Sequence, residues 1–334
     1  MKQKLAQVLL GVFLASCAVA ARAEVSELRV PLGAGGFGFL PLHVMQARQL
    51  VEKHAQLAGV TVKVNWSNIG GPAGMIDALL SGSADFISAG PPSFLILWDK
   101  TKGSANVKGV ASMSSMPMRL NTRAEHLKTI DDLKAGDKIA VTSVKSSIPS
   151  IVMQMYAVKK YGKEQAFRFD PFTVTMNHSD AAAALLSGKT ISGHFASAPL
   201  DQRELKETGV RTIMNSDDVM GGSTTFTMIS TTQKFYEKNP KVYAAFVSAL
   251  KEAQTLIMQD KEGAAKVLLE AMGAAAGSTA DMLAILNDPS TKYTTQPENV
   301  MKYALFMNDI GSLKNRPALI DDLFFSSAEI SLGH

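Results

Sequence analysis

Short apolar runs alternate with glycine-rich turns and amphipathic stretches along most of this chain. Leu28–Leu32 reads as a strand, Pro41–Leu57 as a helix with proline in its first turn, and Thr61–Trp66 as a second, alternating strand. The turn Asn68–Gly74 leads into a helix over Met75–Leu80, Asp85–Ser88 is a strand, Phe94–Lys100 a helix, and Val107–Ser112 a strand. Strand, loop and helix in repeated succession predict a parallel sheet with helical crossovers. After Pro117 the pattern restarts. A helical turn at Ile130–Leu133 precedes the strand Lys138–Thr142, the helix Ser146–Tyr161, the strand Phe172–Met176 and the helix Asp180–Leu186. Ser192–Phe195 and Arg211–Met214 read as strands on either side of a helix at Asp201–Glu207. Phe226–Ser230 is a strand placed to return to the first unit, and from Gln233 onward the pattern is helical, broken at Gly273–Ser278 and Asp288–Pro297. The expectation is an α/β protein of two lobes, 24–116 plus 225–334 and 117–224, with two crossings between them and a helical C-terminal segment.

The first residues change what the composition means. Lys2 and Lys4, an apolar run over Leu5–Val19, and Ala21-Arg22-Ala23 before Glu24 have the form of a cleaved export signal, residues 1–23. Leu14-Ala15-Ser16-Cys17 offers a competing lipoprotein reading, with Cys17 as the lipid-bearing residue. Either way the expected location is outside the cytoplasm, in the periplasm. Three of the 34 basic residues and none of the 30 acidic ones lie in that segment, so the remainder is close to neutral and gives no reason to expect nucleic acid. The single cysteine lies there too, which leaves the cut chain no disulfide and no thiolate chemistry.

Gly33-Ala34-Gly35-Gly36-Phe37-Gly38 satisfies G-x-G-x-x-G after a strand, the form of a dinucleotide fingerprint. Two features oppose that reading. Pro41 sets the helix start beyond all the glycines, and the strand Thr61–Trp66 runs into Ser67 and Asn68, where a ribose-binding carboxylate is wanted. A flexible turn and a backbone-rich pocket wall remain. Asn68–Gly74, Ser88–Ser93 and Lys145–Ser147 favour the wall, because each follows a predicted strand and precedes a predicted helix. Ligands of open α/β sheets bind at that edge, where helix starts present N–H groups to anions.

Several segments resemble the nitrate/sulfonate/taurine type of ABC-transporter substrate-binding protein, a family shared with thiamine-precursor proteins. They are "GGFGFLPLHVMQARQLVEKH", "MIDALLSGSADFISAGPPS", "IDDLKAGDKIAVTSVKSS", "AAAALLSGKTISGHFASAP" and "KFYEKNPKVYAAFVSALKEA". The resemblance implies a two-lobed periplasmic-binding-protein fold of the type II kind, which closes by hinge motion on a small solute and delivers it to an ABC permease in the inner membrane. It also implies that Ser146 and Ser147 sit at the ligand-facing helix start of the second lobe.

Other candidates carry two readings each. Phe37, and less so Phe39, is a ligand wall or a core side chain. Gly38 belongs to the same loop. Asn68, Gly71 and Ser93 offer an amide, N–H groups and a hydroxyl to an oxyanion, or simply cap helices. His194 and Ser197 lie at a strand end, and His178 stands between a strand and a helix. Arg119 could reach the cleft or be an ordinary surface arginine, and Lys145 could add charge beside the serines or be a solvated loop lysine. The six histidines have no metal-ligand spacing, so no metal and no cofactor are expected. The resemblance extends to cysteine-rich, iron-dependent enzymes of thiamine-precursor synthesis, but one cysteine and an export signal oppose that. Gly221-Gly222-Ser223-Thr224-Thr225 lacks the second glycine of a hydrolase elbow. The expectation is a monomeric binder of a small organic acid or sulfonate, with no enzymatic activity. A pyrimidine-like ligand and service to a sensor rather than a permease stay open.

Overall fold

The computed structural model describes residues 23–33, 35–69, 71–273 and 277–327. The expected export signal and Cys17 lie outside the described residues, apart from Ala23. The strands are β1 (Glu27–Pro31), β2 (Lys63–Ser67), β3 (Ile87–Ala89), β4 (Lys108–Ser115), β5 (Arg119–Thr122), β6 (Ile139–Val141), β7 (Thr173–Thr175), β8 (Gly193–Ala196), β9 (Arg211–Asn215) and β10 (Thr225–Thr231). β1 pairs parallel with β2. Asp85 N–H, just before β3, donates to Arg29 O of β1, which sets that strand beside the next group. There β10 lies between β3 and β4 and runs antiparallel to both. The first unit is therefore mixed rather than all-parallel, because the returning strand fills the gap between β3 and β4.

The second sheet has the order β7-β6-β8-β5-β9, parallel at β6 with β7 and β8, and antiparallel on both sides of β5. β5 escaped the hydropathy pattern. Its Asn121 and Thr122 are buried, and polar residues at core positions hide the alternation. The Asn121 amide is satisfied in place, donating to Asp201 O at 3.0 Å and to Glu204 Oε2 at 2.9 Å.

The helices are α1 (Leu40–Ala47), α2 (Leu50–Leu57), α3 (Gly71–Ser81), α4 (Pro91–Thr101), α5 (Ile148–Tyr161), α6 (His178–Ser187), α7 (Leu200–Leu205), α8 (Ser216–Met220), α9 (Gln233–Lys238), α10 (Pro240–Gln259), α11 (Lys261–Met272), α12 (Thr279–Asn287) and α13 (Val300–Asp309). The single helix expected over Pro41–Leu57 is two. Gln49 adopts the left-handed region (φ 49°, ψ 41°), and the bend lets both segments pack against α10. That long helix is the axle of the first core. Val242, Phe246, Leu250, Ala253 and Ile257 recur at helical spacing on its buried face. Phe246 stacks on Phe86 with centroids 4.0 Å apart. Each such large apolar side chain contributes about 1.5–3 kcal/mol by burial. Glu24 caps the same helix, its carboxylate accepting from the N–H groups of Lys241 (3.0 Å) and Val242 (2.7 Å). A second core gathers Phe94 and Trp98 of α4, Ile151 and Val152 of α5, and Tyr303 and Met307 of α13.

Candidate functional site

A cleft of about 620 Å³ opens where the glycine loop, the starts of several helices and the ends of two sheets converge. Of the residues expected there, Phe37, Gly38, Gly71, Ser93, Ser147 and Ser197 line it; Asn68, Ser146 and His194 do not. Lys145 and Arg119 stay away as well, and Arg119 is paired with the fully buried Asp201. Burial raises the pKa of Asp201, and the guanidinium acts against that shift. Among the described residues no lysine, arginine, aspartate or glutamate lines the cleft.

One wall comes from the first unit. After β1 the backbone turns through Gly35 and Gly36, both at positive φ (79° and 85°), into a single 3-10 turn at Phe37–Phe39 and then α1. Phe37 is both a wall and a core residue, fully buried in the first cluster. A Cβ on Gly38 would come within 2.4 Å of the Phe226 ring of β10. The third glycine therefore permits close packing on the returning strand, rather than the packing of helix on first strand that a dinucleotide fingerprint requires. Ser93, in the first turn of α4, donates its hydroxyl to Ser146 O at 2.9 Å. Ser88, in β3, is the contrast. Its hydroxyl is buried in the cleft lining and has no hydrogen-bond partner.

The other wall is polar. Ser147 caps α5, but its hydroxyl is occupied, donating to Ser143 O at 2.7 Å. What it leaves to the cleft is the start of the helix, whose first-turn N–H groups have no partner within the helix. Asn177 caps α6 by accepting from Asp180 N–H at 2.9 Å, and Thr142, Thr175 and Ser179 stand nearby in the lining. His178, and not His194, is the one on the cleft. Its imidazole reaches back to His194, which is 1% exposed. Burial first, and the neighbouring His194 second, push the His178 pKa down to about 3. Thr175, Ser88 and Phe226, which lie in strands, and Thr142, which directly follows one, were missed because their position at the cleft depends on sheet order. The helix starts at Gly71, Gly90, Ser147 and Asn177 face one space, a neutral cradle in which the first-turn N–H groups that remain beside Pro72, Pro91, Pro92 and Pro149 can meet an anion. Among the described residues no group of three or more His, Cys, Asp and Glu side chains is placed to hold a metal ion.

A two-lobed α/β fold with a cleft at the strand ends is that of the periplasmic solute-binding proteins. The alkanesulfonate-binding protein SsuA from Xanthomonas axonopodis pv. citri, solved with MOPS bound, superimposes with a TM-score of 0.70 at 17% identity, covering 91% of this chain and 99% of that one. The periplasmic nitrate-binding protein NrtA from Synechocystis PCC 6803 gives 0.69 at 13% identity (90% and 86%). The aliphatic sulphonate binding protein SsuA from Escherichia coli gives 0.64 at 18% (92% and 94%). No curated protein matches the chain. A family profile described as ABC transporter, phosphonate, periplasmic substrate-binding protein matches residues 54–280, so the chain belongs to that family. It is thus a binding component of an ABC importer and not an enzyme, with a small-molecule ligand and a permease as partners.

Proposed function

We propose that the protein binds a small organic anion, sulfonate-, phosphonate- or carboxylate-like, in the cleft between its lobes and passes it to the permease by hinge closure. The carrying observation is that helix starts and the unpartnered, buried Ser88 hydroxyl surround a space without a charged side chain among the described residues. Such a site neutralises an oxyanion with dipoles and leaves its organic part to Phe37, Phe39 and Phe226. The sulfonate- and nitrate-binding neighbours and the phosphonate family agree with that chemistry. In this reading lobe I comprises 24–116 and 225–334, lobe II 117–224, and the protein is a periplasmic monomer freed by cleavage after Ala23. Phe37, Gly38, Gly71, Ser88, Ser93, Ser147, His178 and Ser197 form the site.

The test is thermal shift of the protein from Glu24 onward against sulfonates, phosphonates, nitrate, carboxylates and pyrimidines. A ligand at a hundredfold excess over Kd stabilises by about 2.7 kcal/mol. A rise with the organic anions is expected. Stabilisation by uncharged pyrimidines alone would discard the anion reading.

A further inference from the structure

The cleft is larger and more apolar than a small oxyanion needs. Its 620 Å³ falls within the roughly 300–1,000 Å³ of sites that enclose drug-sized ligands. The lobes already touch around it, so this is not the volume of parted walls. Ser93 Oγ donates to Ser146 O, a Cβ on Gly36 would lie 3.7 Å from Ala198 O, and Lys206 Nζ, just past α7, is 2.5 Å from Asp281 Oδ1 of α12. Ser93, Gly36 and Asp281 belong to the first unit and their partners to the second. Nitrate or methanesulfonate would leave most of the enclosed space to water lying against hydrocarbon and sulfur.

Beside Phe37, Phe39 and Phe226, three methionines line the cleft: Met75 of α3, Met118 just before β5, and Met272 at the end of α11. Met75 and Met118 are each 2% exposed, one in a small cluster beside the first core and one in the second core. Met272 is half-buried and packs against the first core, with its Cγ 3.9 Å from where a Cβ on Gly35 would stand. Phenylalanine rings and thioether sulfurs both gain from the face or edge of another ring. A rigid ring also loses less freedom on binding than a flexible chain does. At Gly35, Gly36 and Gly71 the backbone runs at positive φ without a side chain, which leaves bare peptide for a flat body to lie on. Among the described residues the cleft has no charged side chain. A second charge on the solute, whether ammonium or oxyanion, would therefore be buried without a counter-ion.

We propose that the solute is an aryl acid, one sulfonate or carboxylate on an aromatic body of one or two rings, and that Met75, Met118 and Met272 are the residues that select the body. The acid end rests on the anion reading above, whereas the body is argued from the walls alone. Nitrate, short aliphatic acids and aminosulfonates are poor cargo for such a cleft. The first leave its apolar space wet, and the last bring a cation that nothing there can pair.

Isothermal titration of the protein from Glu24 onward tests this, with methanesulfonate, taurine, hexanesulfonate, benzenesulfonate and naphthalenesulfonate as probes. Burial of each carbon is worth about fourfold in affinity, so naphthalenesulfonate should bind at least about a thousandfold more tightly than methanesulfonate. Benzenesulfonate should bind more tightly than hexanesulfonate, although the alkyl chain has the larger apolar surface. Met272→Ala should weaken naphthalenesulfonate about tenfold or more and leave methanesulfonate unchanged. Methanesulfonate or taurine within about tenfold of naphthalenesulfonate overturns the proposal, as does a preference for hexanesulfonate over benzenesulfonate. Unchanged affinity for naphthalenesulfonate in the Met272 variant overturns the selecting role of that residue. Naphthalenesulfonamide, the same body without the charge, separates the two claims. Binding as tight as that of the sulfonate overturns the anion reading and supports the aromatic body, whereas binding of neither compound overturns the body.

Discussion

Phe37, Phe39 and Phe226 form one side of the cleft, packed on or into a core whose axle is α10; Thr142, Asn177 and His178 form the other, backed by His194, Glu204 and Asn121. The apolar side is held by close packing, so its shape cannot be altered without touching the fold. The polar side is held by directed hydrogen bonds, so its chemistry can change while the backbone stays.

The sharpest way to break this contrast is Phe37→Ala. The ring is fully buried and shared between core and cleft, so the loss of stability should be about 3–5 kcal/mol. Urea unfolding checks it, and a cost below about 1 kcal/mol would mean the first wall is not built by packing. Gly38→Val comes next. Its Cβ would lie 2.4 Å from the Phe226 ring, and overpacking of this kind costs about 1–3 kcal/mol. Calorimetric melting should show that loss together with weaker solute binding.

On the polar side the expected effects are on protons and ligand. His178 is held well below its unfolded value of about 6.5, down to about 3, by burial and then by His194. A depressed histidine contributes stability that is fully present above the unfolded value and is lost as pH falls toward the folded one. Melting temperature should therefore decline below about pH 6.5, and His178→Gln should flatten the decline. An unchanged slope in that variant would assign the acid sensitivity elsewhere, for instance to His43, whose pKa burial also lowers. Ser88, a polar exception on the first wall, is the next test: Ser88→Ala should leave stability unchanged or slightly improved, because it removes an unsatisfied buried hydroxyl. Its solute affinity should fall about tenfold, as for one hydrogen bond to an anion. Equal affinity in isothermal titration would take Ser88 out of the site. The smallest expected effect is none: NADH should not shift the melting temperature, and a clear rise would revive the dinucleotide reading of the glycine loop.

Much of the fold was legible because the signals were local. The strand–glycine–helix rhythm located most elements, and the strand after Gly221-Gly222 does return to the first unit. β5 was not legible, since Asn121 and Thr122 disguise a core strand until their partners, α7 and the Ser192 carbonyl just before β8, are in place. Nor was the antiparallel insertion of β10, which depends on strand order rather than on any residue in it. The site divides in the same way. Gly38, Gly71 and Ser147 could be proposed from loop position, whereas His178 and His194 had to be told apart by which of them the sheet buries. Ser88 needed the structure, because an unpartnered hydroxyl is a property of surroundings and leaves no mark in sequence.

The hydroxyl of Ser93 and the carbonyl of Ser146 join the two walls beside Gly90, where a Cβ would come within 3.2 Å of Ile148. A solute leaving the cleft by parting of those walls must wait for that bond and that contact to break. The time a captured molecule stays is then governed partly by atoms that never touch it. A binding component tuned at this seam could hand its cargo over faster or slower while its equilibrium selectivity, set elsewhere in the cleft, is unaltered.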